Sequence, residues 1–215
     1  MTVYFFSGLG ADERAFEKIS IPDKWKVVFI KWPDVNASEN LADYCKRISS
    51  KINFSENFSF VGLSFGGIVA VELSKTIFPK HLILISSISS RKELPVFYNL
   101  LRFVKLHKII PAKLFTTPFF ITYWAFGVKE KEEKMILKNI IKDTPPKFIK
   151  WAINQILSWK NDERPSNIFH IHGSSDRLFC IKRVKADIRI ENGGHFMIYN
   201  KANEILPYLL QELGK

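Results

Sequence analysis

The chain is short of cysteine, of acidic residues and of long apolar runs, and each shortage removes a class of protein. Its only cysteines, Cys45 and Cys180, have no metal-ligand spacing and no processing signal beside them. A disulfide scaffold or a cysteine metal site is therefore not expected, and reduced thiols in the cytoplasm are. The longest apolar stretch, around Phe119 to Val128, falls far below the roughly 20 residues that a membrane span requires. The opening MTVYFFSGLG has no basic leader and meets glycines after a short apolar run, so it reads as a strand rather than a signal peptide. Internal repeats and low-complexity tracts are missing as well.

The deficit of acid leaves a net charge of +11 over 215 residues. Most of the excess lies between Arg91 and Lys160, where lysine dominates over arginine. Such a segment attracts anions, but no helix-turn-helix, zinc or RNA-binding signature accompanies it. It reads as a lysine-rich solvated helical surface, and nucleic acid is not an expected partner.

With 47% hydrophobic and 14% aromatic residues, the chain can bury one sizeable core. Short apolar runs punctuated by Gly, Pro, Ser or Asn predict strands at Val3 to Phe6, Lys26 to Ile30, Phe58 to Gly62, His81 to Ser86, Ile168 to His172 and Ile188 to Ile190. Between the second and third, Leu41, Cys45, Ile48 and Ile52 recur at helical spacing, with Asn36 and Glu39 as a capping-box-like pair. Alternating strands and helices predict a mostly parallel six-stranded sheet flanked by helices, an α/β fold. From residue 91 to 162 the alternation gives way to a wholly helical pattern, with Pro95, Pro111, Pro118, Pro145 and Pro146 read as helix-ending residues. The expected division is a core of residues 1–90 and 163–215 with residues 91–162 inserted as a helical cap, most of whose aromatic rings would form its own core.

One hexapeptide asks for an explanation. In GLSFGG, Gly62 to Gly67, a serine stands among glycines between an apolar strand and an apolar helix. Gly62-x-Ser64-x-Gly66 in that context is a nucleophile elbow, where the absent side chains let the chain reverse sharply and leave the hydroxyl exposed. A hydroxyl needs a base, and the base an orienting acid. Asp176 follows the strand ending at His172, and His195 follows the last strand in Asn192-Gly193-Gly194-His195, so all three leave the same sheet edge. His170 and His172 fall inside a strand, His81 begins one, His107 lies in the cap, and Asp12, Asp23 and Asp34 come too early for the acid. Asp187 enters the last strand rather than leaving it. After the first strand, Ser7-Gly8-Leu9-Gly10 offers backbone amides, and those of Leu9 and Phe65 are the expected oxyanion donors.

SGLG, GLSFGG, HGSSD and GGHF together resemble the α/β-hydrolase superfamily, in particular its small esterase-like members with a helical cap. The resemblance covers about Met1 to Ser90 and Ser166 to Lys215. It implies Ser64 as nucleophile, His195 as general base and then acid, and Asp176 as orienting acid, with no cofactor or metal. The implied substrate is a small acyl ester or thioester, possibly anionic given the basic segment; the oligomeric state is left open. A same-fold enzyme of other chemistry, such as a C-C hydrolase or a lyase, and a poorly catalytic ligand receptor are the alternatives. The chain departs from the pattern where many members have His-Gly in place of Ser7-Gly8. It departs again where Phe179 to Ala186 is too short for a full helix, and in lacking the first edge strands.

Overall fold

Alternate residues of each inner strand belong to opposite faces of one sheet, and both faces are apolar. The strands are β1 (Thr2–Phe6), β2 (Lys26–Phe29), β3 (Phe58–Leu63), β4 (Leu82–Ile85), β5 (Ile168–Gly173) and β6 (Ile188–Ile190), in a computed structural model that describes residues 1–36, 38–104 and 117–215. Pro111 and His107 lie outside the described residues. The six strands are all parallel in the order β2-β1-β3-β4-β5-β6, as expected, and no antiparallel edge strand occurs among the described residues. Tyr4, Phe6, Phe60, Leu82 and Leu84 feed one apolar cluster, and Val3, Phe5, Val61, Ile83 and Ile85 the other. Burial on both faces is why these strands read as continuous apolar runs.

Two helices cover the first face. Helix α1 (Leu41–Ser49) buries Leu41, Tyr44, Cys45 and Ile48, the predicted stripe. Its cap is Asn40, whose side chain accepts from the Asp43 amide at 2.9 Å, and not Asn36. The Asn36 and Glu39 pair does form, at 3.3 Å and 3.1 Å, but it closes a turn ahead of the helix while Arg47 takes the Glu39 carboxylate. Helix α2 (Phe65–Leu73) follows β3 after the single residue Ser64 and is almost wholly buried.

Between β4 and β5 come α3 (Val96–Val104), α4 (Phe120–Phe126), α5 (Lys131–Asp143) and α6 (Pro146–Ser158). Prolines stand at both kinds of helix boundary here: Pro145 follows the Thr144 cap that ends α5, as expected, while others begin helices. Pro95 precedes α3, and Pro145 and Pro146 occupy the cap and first position of α6, where a missing N–H costs nothing. Among the described residues, the rings of this segment do not form a core of their own. Phe148, Trp151, Ile156 and Trp159 join the cluster of α1 and α2, while Val128, Leu137, Ile140 and Ile141 join the opposite one. Trp151 packs on Tyr44 with ring centres 4.5 Å apart, and its Nε1 donates to the Glu39 carbonyl at 2.7 Å. Trp159 Nε1 likewise donates to Glu72 at 2.9 Å. After β6, α7 (Met197–Asn200) and α8 (Ala202–Leu213) close the second face.

The order of the strands decides where chemistry is possible. β1 leads to β2 on one side and has β3 on the other, so the loops after β1 and β3 part at their carboxyl ends and leave a crevice. No helix among the described residues is long and apolar enough to cross a membrane.

Candidate active site

Ser64 sits between β3 and α2 with φ 51° and ψ −119°, a left-handed conformation that serine adopts only when its surroundings impose it. The surroundings here are tight. A Cβ on Gly66 would lie 2.2 Å from the Phe6 carbonyl oxygen and 2.3 Å from that of Ser7, and one on Gly62 would lie 2.4 Å from the Gly67 Cα. The Ser64 amide donates to the Ile85 carbonyl at 3.0 Å, and the Ser87 hydroxyl donates to the Ser64 carbonyl at 2.6 Å. Both ends of the strained residue are thus tied to the strand next door.

The loops after β5 and β6 are joined to each other before they reach Ser64. Ser174 N donates to the Ile190 carbonyl and Ser175 N to that of Gly193, both at 2.9 Å, and Asn192 N donates to the Ser174 hydroxyl at 2.8 Å. This fixes the spacing of Asp176 and His195. His195 Nδ1 lies 2.8 Å from Asp176 Oδ2, and His195 Nε2 lies 2.8 Å from Ser64 Oγ. A carboxylate only accepts, so the imidazole proton belongs on Nδ1 and Nε2 is free to accept from the hydroxyl. Asp176 Oδ1 accepts from the amides of Leu178 at 2.8 Å and Phe179 at 2.9 Å. Burial alone would push this carboxyl up, but His195, His172 and the Phe179 amide together hold it below the usual carboxylate range. Between Phe179 and Ala186 the chain makes only tight turns, with Arg183 N bonded to the Cys180 carbonyl at 2.9 Å and Val184 N to that of Ile181 at 3.2 Å.

The residues expected to supply the oxyanion amides lie on the chain beside Ser64 and on the loop packed against it. Phe65 is the first residue of α2, so its amide has no acceptor within the helix. A Cβ on Gly8 would lie 3.4 Å from that of Ser64, which brings the loop carrying Leu9 against the serine. Ser7, where many α/β-hydrolases have histidine, closes this loop by donating to the Ala11 carbonyl at 2.5 Å. Thr144, just past α5, sets its hydroxyl against the Gly10 carbonyl from the other side.

Several residues of the site carry no motif. The rings of Phe126 and Phe179 stand edge-on to the imidazole of His195, with centres 5.3 Å and 5.5 Å away. Phe126 is anchored because its carbonyl accepts from the Phe196 amide at 3.0 Å. Both rings line a cavity of about 380 Å³ that opens on Ser64 and His195. The helical segment supplies Tyr98, Leu101, Leu137, Ile140, Ile153 and Ile156 to its wall, and among the described residues no lysine or arginine lines it. Phe119, Phe120 and Trp124 of the helical segment, by contrast, are exposed. Among the described residues no group of three or more His, Cys, Asp or Glu side chains is arranged to hold a metal ion.

No family model and no curated protein matches the chain. Solved structures do. MenH from S. aureus superposes with a TM-score of 0.71 at 17% identity, covering 100% of this chain and 93% of that one. A thermophilic esterase from Thermogutta terrifontis superposes with a TM-score of 0.70 at 14% identity, over 99% and 89% of the two chains. A bromoperoxidase from Bacillus anthracis gives a TM-score of 0.70 at 15% identity, over 100% and 92%. At these identities the likeness establishes the architecture: the chain has the α/β-hydrolase fold.

Proposed function

We infer that the chain is a serine hydrolase that cleaves carboxylic esters or thioesters of apolar acyl groups. The observation that carries this is the hydrogen-bonded series Ser64, His195, Asp176, with both links at 2.8 Å, at the mouth of an apolar cavity. Ser64 Oγ attacks the carbonyl carbon and His195 Nε2 takes the hydroxyl proton, while Asp176 steadies the imidazolium. The carbonyl electrons move onto oxygen, where the amides of Leu9 and Phe65 and the positive end of α2 meet the charge. As the tetrahedral carbon collapses, the bond to the leaving alcohol or thiol breaks and His195 returns the proton to it. Water then attacks the acyl-serine, again losing its proton to His195, and Ser64 leaves with that proton.

In this reading residues 91–162 act as the cap and select the acyl group, with Phe126 and Phe179 shielding the imidazole from water. An apolar wall without cations confines any preference for anionic substrates to the parts of a substrate outside the cavity. A complete proton path favours turnover over a binding-only receptor. The test is Ser64→Ala assayed on a panel of aryl esters and thioesters of increasing chain length. The expected loss in kcat is about 10⁴-fold or more; turnover within about threefold of the original chain would remove the reading.

A further inference from the structure

A second imidazole lies on Asp176 and has no part in the reaction derived above. His172, near the end of β5, is fully buried. Its Nε2 is 2.7 Å from the Phe179 carbonyl oxygen and 3.4 Å from Asp176 Oδ2, the same oxygen that His195 uses. Its Nδ1 is 3.2 Å from His170 Nε2. A carbonyl oxygen only accepts, so the His172 proton is held on Nε2, within reach of the carboxylate. Burial keeps both imidazoles well disposed to stay neutral, in His170 with added opposition from the charge that His172 would carry. Neutral His172 then presents Nδ1 as an acceptor, and His170 supplies Nε2–H to it. His170 Nδ1 is left buried with no hydrogen-bond partner among the described residues.

The carboxylate of Asp176 is therefore gripped at more points than orienting one imidazole requires. Oδ1 is fixed by two backbone amides, which leaves rotation of the carboxylate about that anchor as the freedom that decides where Oδ2 faces. We propose that His172 is a positioning residue for the acid: its Nε2–H, held by the Phe179 carbonyl and backed by His170, keeps Oδ2 turned toward His195 Nδ1. This rests on the serine-hydrolase reading. A neutral donor does so without drawing away the negative charge that His195 needs, whereas a cation at 172 would compete for it.

The test compares His172→Phe, which keeps a ring and removes both nitrogens, with His172→Gln, whose amide reaches the position of Nε2. The readouts are kcat and KM on a short-chain aryl ester, the rate at which a fluorophosphonate labels Ser64, and the melting temperature. The Phe variant is expected to lose about 10- to 100-fold in kcat and in labelling rate, as when the outer partner of a working imidazole is removed. KM should stay within about twofold, and the Gln variant should recover most of the loss. A folded Phe variant whose kcat and labelling rate lie within about twofold of the original overturns the proposal. Should the Phe variant fail to fold, Gln is compared with His172→Asn, which reaches only the position of Nδ1, and equal rates in the two overturn it. Ser64→Ala run alongside separates the two failures. Full turnover there removes the hydrolase reading, whereas its loss together with an indifferent residue 172 removes this inference alone.

Discussion

Strands β3 and β4 approach the cavity from one side and helices α3 and α4 from the other, and they are built by opposite rules. On the strand side Val61, Ile83, Leu84 and Ile85 are fully buried, and glycines let backbone touch backbone. On the helix side Phe97, Phe120, Ile121 and Trp124 are between 50% and 84% exposed, beside Tyr98 and Phe126, which line the cavity. A side packed so that no atom can be added holds reacting groups to a fraction of an ångström. A side with room to repack can change which molecule it accepts without disturbing them. On the function proposed above, reaction and selection fall to different stretches of chain.

The largest effect expected from this contrast comes at Gly66, remote from the cavity wall. A methyl group there collides with two backbone carbonyls that cannot step aside, since β1 is paired on both edges. Gly66→Ala should lower stability by about 3 kcal/mol or more, or prevent folding. Chemical denaturation measures it, and a loss below about 1 kcal/mol would mean that the strand side is looser than its packing indicates.

Buried imidazoles on the strand side make the next difference. His170 and His172 have affinities lowered by burial from the ordinary value of 6.5, so the unfolded chain binds protons there before the folded one does. Stability is therefore complete above pH 6.5 and declines as pH falls below it, with a slope of up to about 1.4 kcal/mol per pH unit for each histidine. Asp176, lowered from 3.8, adds its own loss only at more acidic pH. Thermal melts at about pH 7 and about pH 5 should differ clearly, and identical melts would contradict the neutral pair.

How much of this was readable beforehand divides along the same line. Strand positions followed from apolar runs to within a residue or two, and Gly62, Ser64 and Gly66 declared their turn because the close approach there admits nothing larger. The convergence of Asp176 and His195 followed from strand order alone. A helical stripe does not say which surface it will meet, so the rings of residues 91–162 were expected to form a core of their own, although Phe148 and Trp151 complete the core over α1 and α2. Prolines mark the boundary of a helix without telling start from stop, and the expected cap Asn36 gives way to Asn40, which directly precedes the first helical residue. Alternation in β5 puts His172 inside the sheet. Only the turn that returns the Phe179 carbonyl over it brings it beneath the acid.

The smallest expected effect belongs to the helix side and is the one that distinguishes selection from reaction. Ile153 on α6 is partly buried and lines the cavity across from the serine's own strand. Ile153→Phe adds volume where an acyl chain would lie and leaves the glycine contacts untouched. Against a medium-chain ester kcat/KM should fall about tenfold relative to an acetyl ester, the range that a methylene or two is worth in an apolar pocket. The acetyl rate and the fluorophosphonate labelling of Ser64 should hold, because neither reaches that wall. If both esters slow equally, the helical segment is steering the imidazole and not merely measuring the acyl group. The route would be α4, since the Phe126 carbonyl that anchors it accepts from the amide of Phe196, the residue next to His195. The separation of the two sides would then end at Phe126 rather than at the cavity.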